Sequence, residues 1–301
     1  MEKKIEGILP IIHTPFRDDD EIDVDSLKRE IDFVYSYPCN GFGLAMASEL
    51  LRLTKDERVE TTSLLADLNR QRGVVIISVG AESTKEAIFY GRHAERAGCD
   101  AIMAIPPISS AMPDSALEHY FDSLAEEINL PLIIQDASGY VGRPIPMDLC
   151  VKLLDKYGED KILFKPESSP LGPNLSLLRD ATQGRAKIFE GSGGISLVDS
   201  YRRKIAGTMP GCDLLDGVAA LWEALEKGDD QRIYSLFFPI CAIVAIQSQA
   251  GLDGFLAIEK YILKKKGIFT STKRRTPYTW ELDKETEQEI DRLLLQLDKA
   301  L

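Results

Sequence analysis

Residues that build metal or disulfide sites are few in this chain of 301 residues. The five cysteines are an odd number without close pairs, which is not the pattern of a disulfide framework, a zinc site or a redox motif. The three histidines are equally dispersed, so we expect no metal site. These absences predict reduced, mostly buried thiols in a cytoplasmic protein. The cysteines are Cys39, Cys99, Cys150, Cys212 and Cys241, and the histidines are His13, His93 and His119.

Long apolar runs and an excess of basic residues are also missing. No run reaches the ~18 apolar residues of a membrane helix, and the stretch from Met1 to Gly7 lacks a signal-peptide core. With 36 basic and 48 acidic residues, the net charge of −12 argues against a nucleic-acid or anionic-membrane partner. No GxGxxG motif follows the first predicted strand, so a dinucleotide-binding fold has no support.

The chain does contain a regular alternation of short apolar runs and amphipathic segments. Many of the apolar runs are continuous, as in parallel strands that are buried on both faces. Eight such strands alternating with helices over roughly 210 residues predict an α/β protein with a (β/α)8 TIM barrel, and an open doubly wound sheet is the alternative. The predicted strands are Ile8–Thr14, Gly41–Ala45, Val74–Val79, Ala101–Ile105, Leu132–Ala137, Ile162–Lys165, Lys187–Glu190 and Gly207–Met209.

Helical periodicity continues beyond the eighth strand, and no linker rich in glycine, proline or serine precedes it. We therefore predict a barrel over residues 1–228 and a helical C-terminal appendage over residues 229–301 that packs on the barrel. The predicted helices are Asp25–Tyr37, Lys55–Asn69, Thr84–Ala97, Asp114–Ile128, Met147–Lys156, Asn174–Asp180, Asp213–Lys227, Asp230–Ala250, Phe255–Lys266 and Asp283–Leu301.

A lysine, Lys165, ends the sixth predicted strand. A lysine in apolar surroundings tends to lose its proton, and a neutral amine attacks a ketone to form a Schiff base. Glu167 is two residues further on, so on a strand it points to the same face. Barrel enzymes place their chemistry at strand C-termini, which favours a catalytic amine and carboxylate. The alternative is a lysine that extends from the strand end and pairs with Glu167 for structural reasons.

Short motifs with a fixed order accompany this lysine. They are Thr14-Pro15-Phe16 with Ile22-Asp23, Ala45 to Glu49 followed by Leu53 to Arg58, Ala97 to Ala101 leading to Pro106-Pro107, Leu130-Pro131, and Lys165. In this order the chain resembles the dihydrodipicolinate synthase / N-acetylneuraminate lyase family of class I Schiff-base lyases. The resemblance implies a barrel, Lys165 as the imine-forming residue with no other cofactor, and a homo-oligomer, either a dimer or a tetramer.

The departures from the family pattern concern the substrate. The family's Gly-Thr-Thr-Gly-Glu loop, which binds the carboxylate of pyruvate, reads Ala45-Met46-Ala47-Ser48-Glu49 here. The resemblance implies backbone donors at Ala47 and Ser48, with the Ser48 hydroxyl in place of a lost one. Gln135 stands where the family has a tyrosine, and Tyr140 where dihydrodipicolinate synthases have an arginine for the second substrate. Condensation with aspartate semialdehyde is therefore not expected.

Proton transfer then needs another group, and Glu167 is the candidate. A carboxylate near the imine can remove the C3 proton of a bound 2-keto acid and help a C4 hydroxyl to leave. Lys165-x-Glu167, together with Gln135-Asp136, resembles a subgroup of 2-keto-3-deoxy sugar-acid dehydratases. We therefore expect dehydration. The alternatives are an aldolase that breaks the C3–C4 bond to give pyruvate and an aldehyde, and a non-catalytic barrel that binds oxo acids.

The remaining candidates bound the pocket. Gly191-Ser192-Gly193-Gly194 follows the seventh strand, where glycines permit close approach to a ligand and Ser192 offers a polar contact. Gln135 can orient a sugar hydroxyl or be a buried, satisfied amide. Tyr140 is assigned either to the active site or to an oligomer contact, and Met209 either to the pocket wall or to the core.

Overall fold

A computed structural model describes residues 3–301. In this range, eight parallel strands alternate with helices. The strands are β1 (Gly7–Ile8), β2 (Gly41–Leu44), β3 (Val74–Ser78), β4 (Ala101–Ala104), β5 (Leu132–Asp136), β6 (Ile162–Pro166), β7 (Phe189–Glu190) and β8 (Gly207–Thr208). The helices are α1 (Val24–Val34), α2 (Lys55–Asn69), α3 (Thr84–Ala97), α4 (Asp114–Glu127), α5 (Met147–Tyr157), α6 (Leu171–Ala181), α7 (Leu197–Arg202), α8 (Leu215–Lys227), α9 (Asp230–Gln247), α10 (Gly251–Lys265) and α11 (Lys284–Ala300).

The strands close into a ring. Strands β2 to β6 pair in chain order, and β7, β8 and β1 form a second sheet. Single parallel bridges join the two sheets, between Ile11 and Gly43 on one side and between Phe164 and Ile188 on the other. Every strand therefore has two neighbours, and the predicted α/β barrel with C-terminal helices is confirmed.

Alternation along the strands decides which side chains enter the barrel. Ile133 of β5 and Leu163 of β6 belong to the apolar cluster inside the barrel, whereas Phe164 packs in the cluster beneath the helices. Because successive side chains on a strand point to opposite faces, Gln135 and Lys165 follow on the interior side. The pattern that buries the core thus also directs a lysine and an amide to the carboxyl end of the barrel.

Helix α2 shows how local sequence sets an element's start. The Thr54 side chain accepts the Glu57 backbone N–H at 3.3 Å, and the Glu57 carboxylate accepts the Thr54 N–H at 2.7 Å. This reciprocal pair satisfies N–H groups that a helix start leaves without intrahelical acceptors.

The first strand is shorter than predicted. The ladder of β1 ends at Ile8 instead of continuing to Thr14. Pro10 has no N–H to donate, which interrupts a regular ladder. Beyond Pro10, Ile11 forms single bridges to Gly43 and Gly211, and the Ile12 N–H donates to the Gly43 carbonyl at 2.9 Å.

Helix α7 was not predicted, and helix α6 begins earlier than predicted. With six residues, α7 is too short to display a helical period in the sequence. Helix α6 spans Leu171–Ala181, whereas the prediction gave Asn174–Asp180. The predicted helix started after Pro173 because proline usually interrupts a helix. In the structure Pro173 lies in the first turn, where proline is tolerated.

The last three helices cover one end of the barrel. Helix α9 packs against α8 and α11 around a separate apolar cluster, and α10 packs on the turn Met46–Ser48 that follows β2. The C-terminal helices therefore reach the carboxyl ends of the strands.

One stretch of the described chain, Asp230–Lys265, has the length and apolar composition of a membrane-crossing helix. Polar and charged residues such as Asp230, Arg232 and Gln247 interrupt this stretch, so the prediction that no unbroken run reaches ~18 apolar residues is unaffected. In the structure, the stretch is divided into α9 and α10 by a 3-10 turn at Ser248–Ala250.

Candidate active site

A cavity of about 60 Å³ lies at the carboxyl ends of the strands. This is space for several water-sized groups. Strand ends and the turn after β2 form most of its wall, and α10 closes it with Leu252, Phe255 and Glu259. The cavity brings together seven of the residues predicted for the site, which are Ala47, Gln135, Tyr140, Lys165, Glu167, Gly191 and Met209.

The centre of the cavity is a short chain of polar contacts. Lys165 Nζ donates to Glu167 Oε1 at 2.8 Å, and Gln135 Nε2 donates to Glu167 Oε2 at 2.5 Å. The Lys165 side chain is only 4% exposed and that of Glu167 9% exposed. Both carboxylate oxygens are therefore held in place, one against the amine and one against the amide. Within residues 3–301, Gln135 Oε1 is buried without a hydrogen-bond partner, which leaves an acceptor at the cavity wall.

Glycine at position 191 makes room for this pair. A Cβ atom at Gly191 would lie 2.7 Å from Lys165 Nζ and 2.5 Å from Glu167 Oε1. Carbon atoms do not approach polar atoms this closely, so the amine can occupy its position only beside a residue without a side chain. The predicted close approach of the loop after β7 is thus directed at Lys165.

A second carboxyl group, Glu190, lies behind this loop and was not predicted. Burial raises the pKa of this fully buried side chain, against the effects of its hydrogen bonds. It accepts the Ser192 backbone N–H at 2.6 Å and the Thr208 hydroxyl at 2.9 Å. Glu190 is the last residue of β7, as Lys165 lies near the end of β6. A search for polar residues at the carboxyl ends of the predicted strands would have identified it.

Ser48 is buried beside the cavity, and its polar groups make hydrogen bonds to the protein. Its hydroxyl donates to the Ile12 carbonyl and accepts the Ala45 backbone N–H at 3.0 Å. Its own N–H donates to the Ala45 carbonyl at 2.9 Å. Both Ser48 donors therefore have acceptors within the protein, one in its own loop and one at Ile12, and its role in substrate binding stays a prediction. Ala47, in contrast, lines the cavity.

Ser192 lies next to the cavity, and its predicted substrate contact stays a prediction. It lines a groove that adjoins the cavity and shares Tyr140, Glu167 and Gly191 with it. Its hydroxyl accepts the Ser196 backbone N–H at 3.0 Å. The side chain therefore shapes the loop rather than the wall of the cavity that holds Lys165.

Tyr140 and Met209 line the cavity in different ways. Tyr140 is 38% exposed, and its ring packs edge-on against Phe255 with the ring centroids 6.1 Å apart. Burial, reinforced by the negative charge of Glu167, raises the pKa of its hydroxyl well above the usual value. Met209 is 2% exposed and also belongs to the barrel interior, so it is both wall and core.

A buried histidine connects the cavity to the first strand. His13 Nδ1 lies 2.8 Å from Glu30 Oε1, and His13 Nε2 lies 2.9 Å from Glu259 Oε2. Burial by itself would lower the pKa of His13, but the two carboxylates outweigh it and raise the pKa to about 10. His13 is therefore an imidazolium that donates to both carboxylates at neutral pH.

Sequence reasoning missed Glu259, although it lines the cavity. The signal was a charged pair, Glu259-Lys260, inside the apolar run of α10. Lys260 is fully buried and donates to the Thr14 carbonyl at 2.7 Å and to Glu49. Charges are seldom fully buried without partners, so such a pair indicates contacts with distant residues.

The structure also brings His13, Glu30 and Cys212 together, with their ligand atoms within 4.8 Å of one another. The dispersed histidines in the sequence did not indicate this cluster. Glu30 Oε1 already accepts a hydrogen bond from the His13 ring at Nδ1, at 2.8 Å, and one from the His13 backbone N–H, at 3.0 Å. We therefore interpret the closeness of these three side chains as a result of the His13–Glu30 ion pair.

With the fold and the cavity established, comparison with known proteins becomes informative. The chain matches the Dihydrodipicolinate synthetase family over residues 4–158, which is about half of its length. It belongs to this family, whose members are lyases. The matched part carries the first five strands and ends before Lys165.

Individual relatives extend the similarity over the whole chain. The L-2-keto-3-deoxyarabonate dehydratase of Azospirillum brasilense is 25% identical over 298 residues, covering 97% of this chain and 94% of that protein. The 4-hydroxy-tetrahydrodipicolinate synthase of Methanosarcina mazei is 25% identical over 241 residues, covering 79% of this chain and 81% of that protein. The crystal structure of YagE, a prophage protein of the dihydrodipicolinic acid synthase family from E. coli K12 in complex with pyruvate, has a TM-score of 0.89 at 22% identity, covering 98% of this chain and 99% of that one.

Proposed function

We propose that this protein is a Schiff-base lyase that dehydrates a 2-keto-3-deoxy sugar acid through an imine on Lys165. The observation that carries the proposal is the contact between Lys165 Nζ and Glu167 Oε1 in a cavity at the barrel's carboxyl end. The similarity over nearly the whole chain to a 2-keto-3-deoxyarabonate dehydratase supports the choice of substrate class.

The proposed reaction begins at the lysine. The Lys165 amine adds to the keto carbon of the substrate, and the adduct loses water to give an iminium. Glu167, 2.8 Å away, accepts the proton whose loss makes the amine nucleophilic. It then gives this proton to the hydroxyl of the adduct, which leaves as the water, so Glu167 is a carboxylate again when the iminium has formed. The iminium draws electrons from C3 and so acidifies the hydrogens on that carbon.

Elimination then needs one base and one acid, and Glu167 serves as both in turn. Its carboxylate removes a C3 proton to give an enamine, and its carboxyl returns that proton to the C4 hydroxyl, which leaves as water with the bonding electron pair. Hydrolysis of the imine releases the unsaturated keto acid and restores Lys165. General acid and base help of this kind contributes about 10²–10⁴-fold to the rate. Gln135, bonded to the other oxygen of Glu167 at 2.5 Å, keeps the carboxylate in this orientation.

The substrate carboxylate needs donors away from Glu167. Ala47 lines the cavity within the 3-10 turn Met46–Ser48. In the family that the chain resembles, the loop at this position binds the carboxylate of pyruvate, largely through backbone N–H groups. We assign the carboxylate to the side of the cavity formed by this turn.

Product analysis tests the proposal. Wild type and Lys165→Ala are incubated with 2-keto-3-deoxy pentonic and hexonic acids, and products are identified by mass spectrometry and by a coupled assay for pyruvate. We expect loss of one water from the substrate, with wild type only. Free pyruvate would assign the chain to the aldolases instead. Absence of any Lys165-dependent turnover would favour the alternative of a non-catalytic barrel that binds oxo acids.

The matched control is Lys187→Ala. Lys187 lies on the outside of the barrel before β7 and pairs with Asp160, whose side chain is 96% exposed. This variant removes a lysine without touching the cavity, so it is expected to keep wild-type turnover.

A further inference from the structure

The side-chain carbonyl of Gln135 is a buried acceptor that the protein leaves unused. Gln135 is 2% exposed, and its Oε1 has no hydrogen-bond partner within residues 3–301. Six buried side-chain atoms of this range lack a partner, and Gln135 Oε1 is the only one whose residue lines the cavity that holds Lys165. A buried carbonyl without a hydrogen bond is costly, so we expect this oxygen to receive a donor from whatever occupies the cavity.

Glu167 determines which end of the amide is free. Gln135 Nε2 lies 2.5 Å from Glu167 Oε2. A carboxylate only accepts hydrogen bonds, so the amide nitrogen has to face it and the carbonyl oxygen has to point elsewhere. The reverse arrangement would bring two acceptors together. Oε1 is therefore the atom of this side chain that is left for a ligand.

Gln135 is also the neighbour of Lys165 across the sheet. The two residues are partners in the parallel register of β5 and β6, and neighbouring strands are about 4.8 Å apart. A substrate whose keto carbon is bound to Lys165 Nζ has its C4 atom only two bonds further along. The hydroxyl on C4 then comes within reach of both the Gln135 amide and Glu167, which itself lies 2.8 Å from Lys165 Nζ.

The chemistry of a carbonyl oxygen restricts what it can bind, because it accepts hydrogen bonds but cannot donate them. The carboxylate and keto oxygens of a 2-keto-3-deoxy acid are acceptors as well, so only its hydroxyl groups suit this atom. A C4 hydroxyl that donates its hydrogen to Gln135 Oε1 keeps the lone pairs of its oxygen for the proton that Glu167 returns in the proposed elimination. The amide itself neither gains nor loses a proton.

We propose that Gln135 Oε1 accepts the hydrogen of the substrate's C4 hydroxyl and that Gln135 is thereby a specificity-determining residue of the proposed dehydration. One amide then positions the base through Nε2 and the leaving group through Oε1. It selects the C4 configuration that reaches Oε1 while a C3 hydrogen faces Glu167. This inference rests on the proposed function, because it assumes that the keto carbon is bound at Lys165.

The two C4 epimers of a 2-keto-3-deoxy hexonic acid test the inference on wild type. Only one epimer can donate to Gln135 Oε1 with C3 in place, so its kcat/KM for loss of water is expected to be higher by roughly tenfold or more, the factor that one hydrogen bond to a buried acceptor gives. Equal values of kcat/KM for the two epimers would overturn the inference, and this measurement needs no variant.

Gln135→Met separates the contact with substrate from the support of Glu167. Pyruvate has no C4 atom, so exchange of its methyl hydrogens in deuterium oxide uses Lys165 and Glu167 without this contact. In the variant, kcat/KM for dehydration of the preferred epimer is expected to fall at least tenfold more than the rate of pyruvate exchange. The ratio between the epimers is expected to shrink toward one. An equal fall in both rates, or an unchanged epimer ratio, would show that Gln135 acts only through Glu167.

Two controls make the result specific. Gln231→Met changes an exposed glutamine in the first turn of α9, outside the cavity, and is expected to keep the wild-type rates and epimer ratio. Trapping of a pyruvate imine on wild type with borohydride tests the proposed function separately. If the imine forms, water is lost and both epimers react equally, only the role of Gln135 is wrong. If the imine does not form, the proposed function itself fails.

Discussion

At the scale of single residues, the proposed chemistry depends on one carboxylate whose two oxygens are both hydrogen-bonded. Glu167 faces the Lys165 amine with Oε1 and the Gln135 amide with Oε2. A group held in this way can exchange a proton with a substrate carbon without moving far. The arrangement supports the role of acid and base without a tyrosine at the end of β5.

Replacing this carboxylate by an amide gives the first prediction. Glu167→Gln keeps the size of the side chain but removes the base, so kcat is expected to fall about 10²–10⁴-fold. Imine trapping with pyruvate and borohydride is expected to persist, because the amine is still present. Steady-state kinetics and intact mass are measured on the same preparation, with Glu223→Gln as the exposed control. A kcat within twofold of wild type would remove Glu167 from the mechanism.

His13 gives a prediction about pH. Its pKa is about 10 in the folded protein, above the usual value of 6.5, so folding retains a proton that the unfolded chain releases. The stabilisation is complete below pH 6.5 and is lost as the pH rises from 6.5 to 10. For each unit that the pH rises inside this window, the free energy of unfolding falls by up to about 1.4 kcal/mol. Asp213, whose burial raises its pKa to about 7, adds no further slope above that pH.

Urea unfolding at pH 7.5 and pH 9 measures this slope. The free energy of unfolding of wild type is expected to fall between the two values, and that of His13→Gln to fall clearly less. An equal fall in both proteins would show that His13 does not hold the proton.

At the scale of elements, the loop after β7 is shaped around the lysine. Gly191→Ala would place a carbon 2.7 Å from Lys165 Nζ and 2.5 Å from Glu167 Oε1. The ends of these two flexible side chains can move aside, so the melting temperature is expected to change little. Because the amine is displaced, imine formation with pyruvate is expected to slow at least tenfold.

The matched control is Gly184→Ala, a glycine with φ of 79° and open space around its Cβ position. It strains the backbone by about 1 kcal/mol without reaching the site, so it lowers the melting temperature and keeps the rate. If Gly191→Ala traps pyruvate at the wild-type rate, the close approach has no catalytic purpose.

Helix α10 is tied to the turn after β2 by a buried ion pair. Lys260 and Glu49 are both 0% exposed at their side chains. Lys260→Met would remove the cation that contacts Glu49 Oε1 and leave the carboxylate with Arg52 at 3.6 Å and the Arg275 backbone N–H at 2.8 Å, at a cost of up to about 3–5 kcal/mol. The exposed pair of Lys227 and Glu223 offers the control, since Lys227→Met is expected to cost less than about 1 kcal/mol. Urea unfolding compares the two variants, and equal costs would contradict the account.

At the scale of the whole molecule, the C-terminal helices complete the site that the barrel begins. Helix α8 ends at Gly228, whose φ of 67° suits a helix terminus. We propose that the barrel covers residues 1–228 and the appendage residues 229–301. Glu259 lies in the appendage, yet it lines the cavity and contacts His13 from the barrel.

The distance along the chain between contacting residues determines what the sequence could and could not predict. Lys165 lies on β6 and Glu167 follows one residue beyond its end, where its N–H still donates to the Asp136 carbonyl of β5 at 2.7 Å, so local alternation was enough to bring them together. His13 and Glu259 are 246 positions apart, and their contact depends on how α10 lies across the barrel. The contacts of Ser48 could not be predicted for a different reason: the residue type fits a ligand contact, but its hydroxyl bonds to Ile12 and Ala45 of the protein. Periodicity predicts faces, whereas distant contacts and local competition for donors require coordinates.

The central claim is that Lys165 forms an imine with a 2-keto acid, and intact-mass analysis tests it most directly. Wild type, Lys165→Ala and Lys187→Ala are each incubated with pyruvate and borohydride. The account predicts a single adduct of the mass of a reduced pyruvyl group on wild type and on Lys187→Ala, with none on Lys165→Ala. No adduct on wild type, either with pyruvate or with a longer 2-keto-3-deoxy acid, would contradict it.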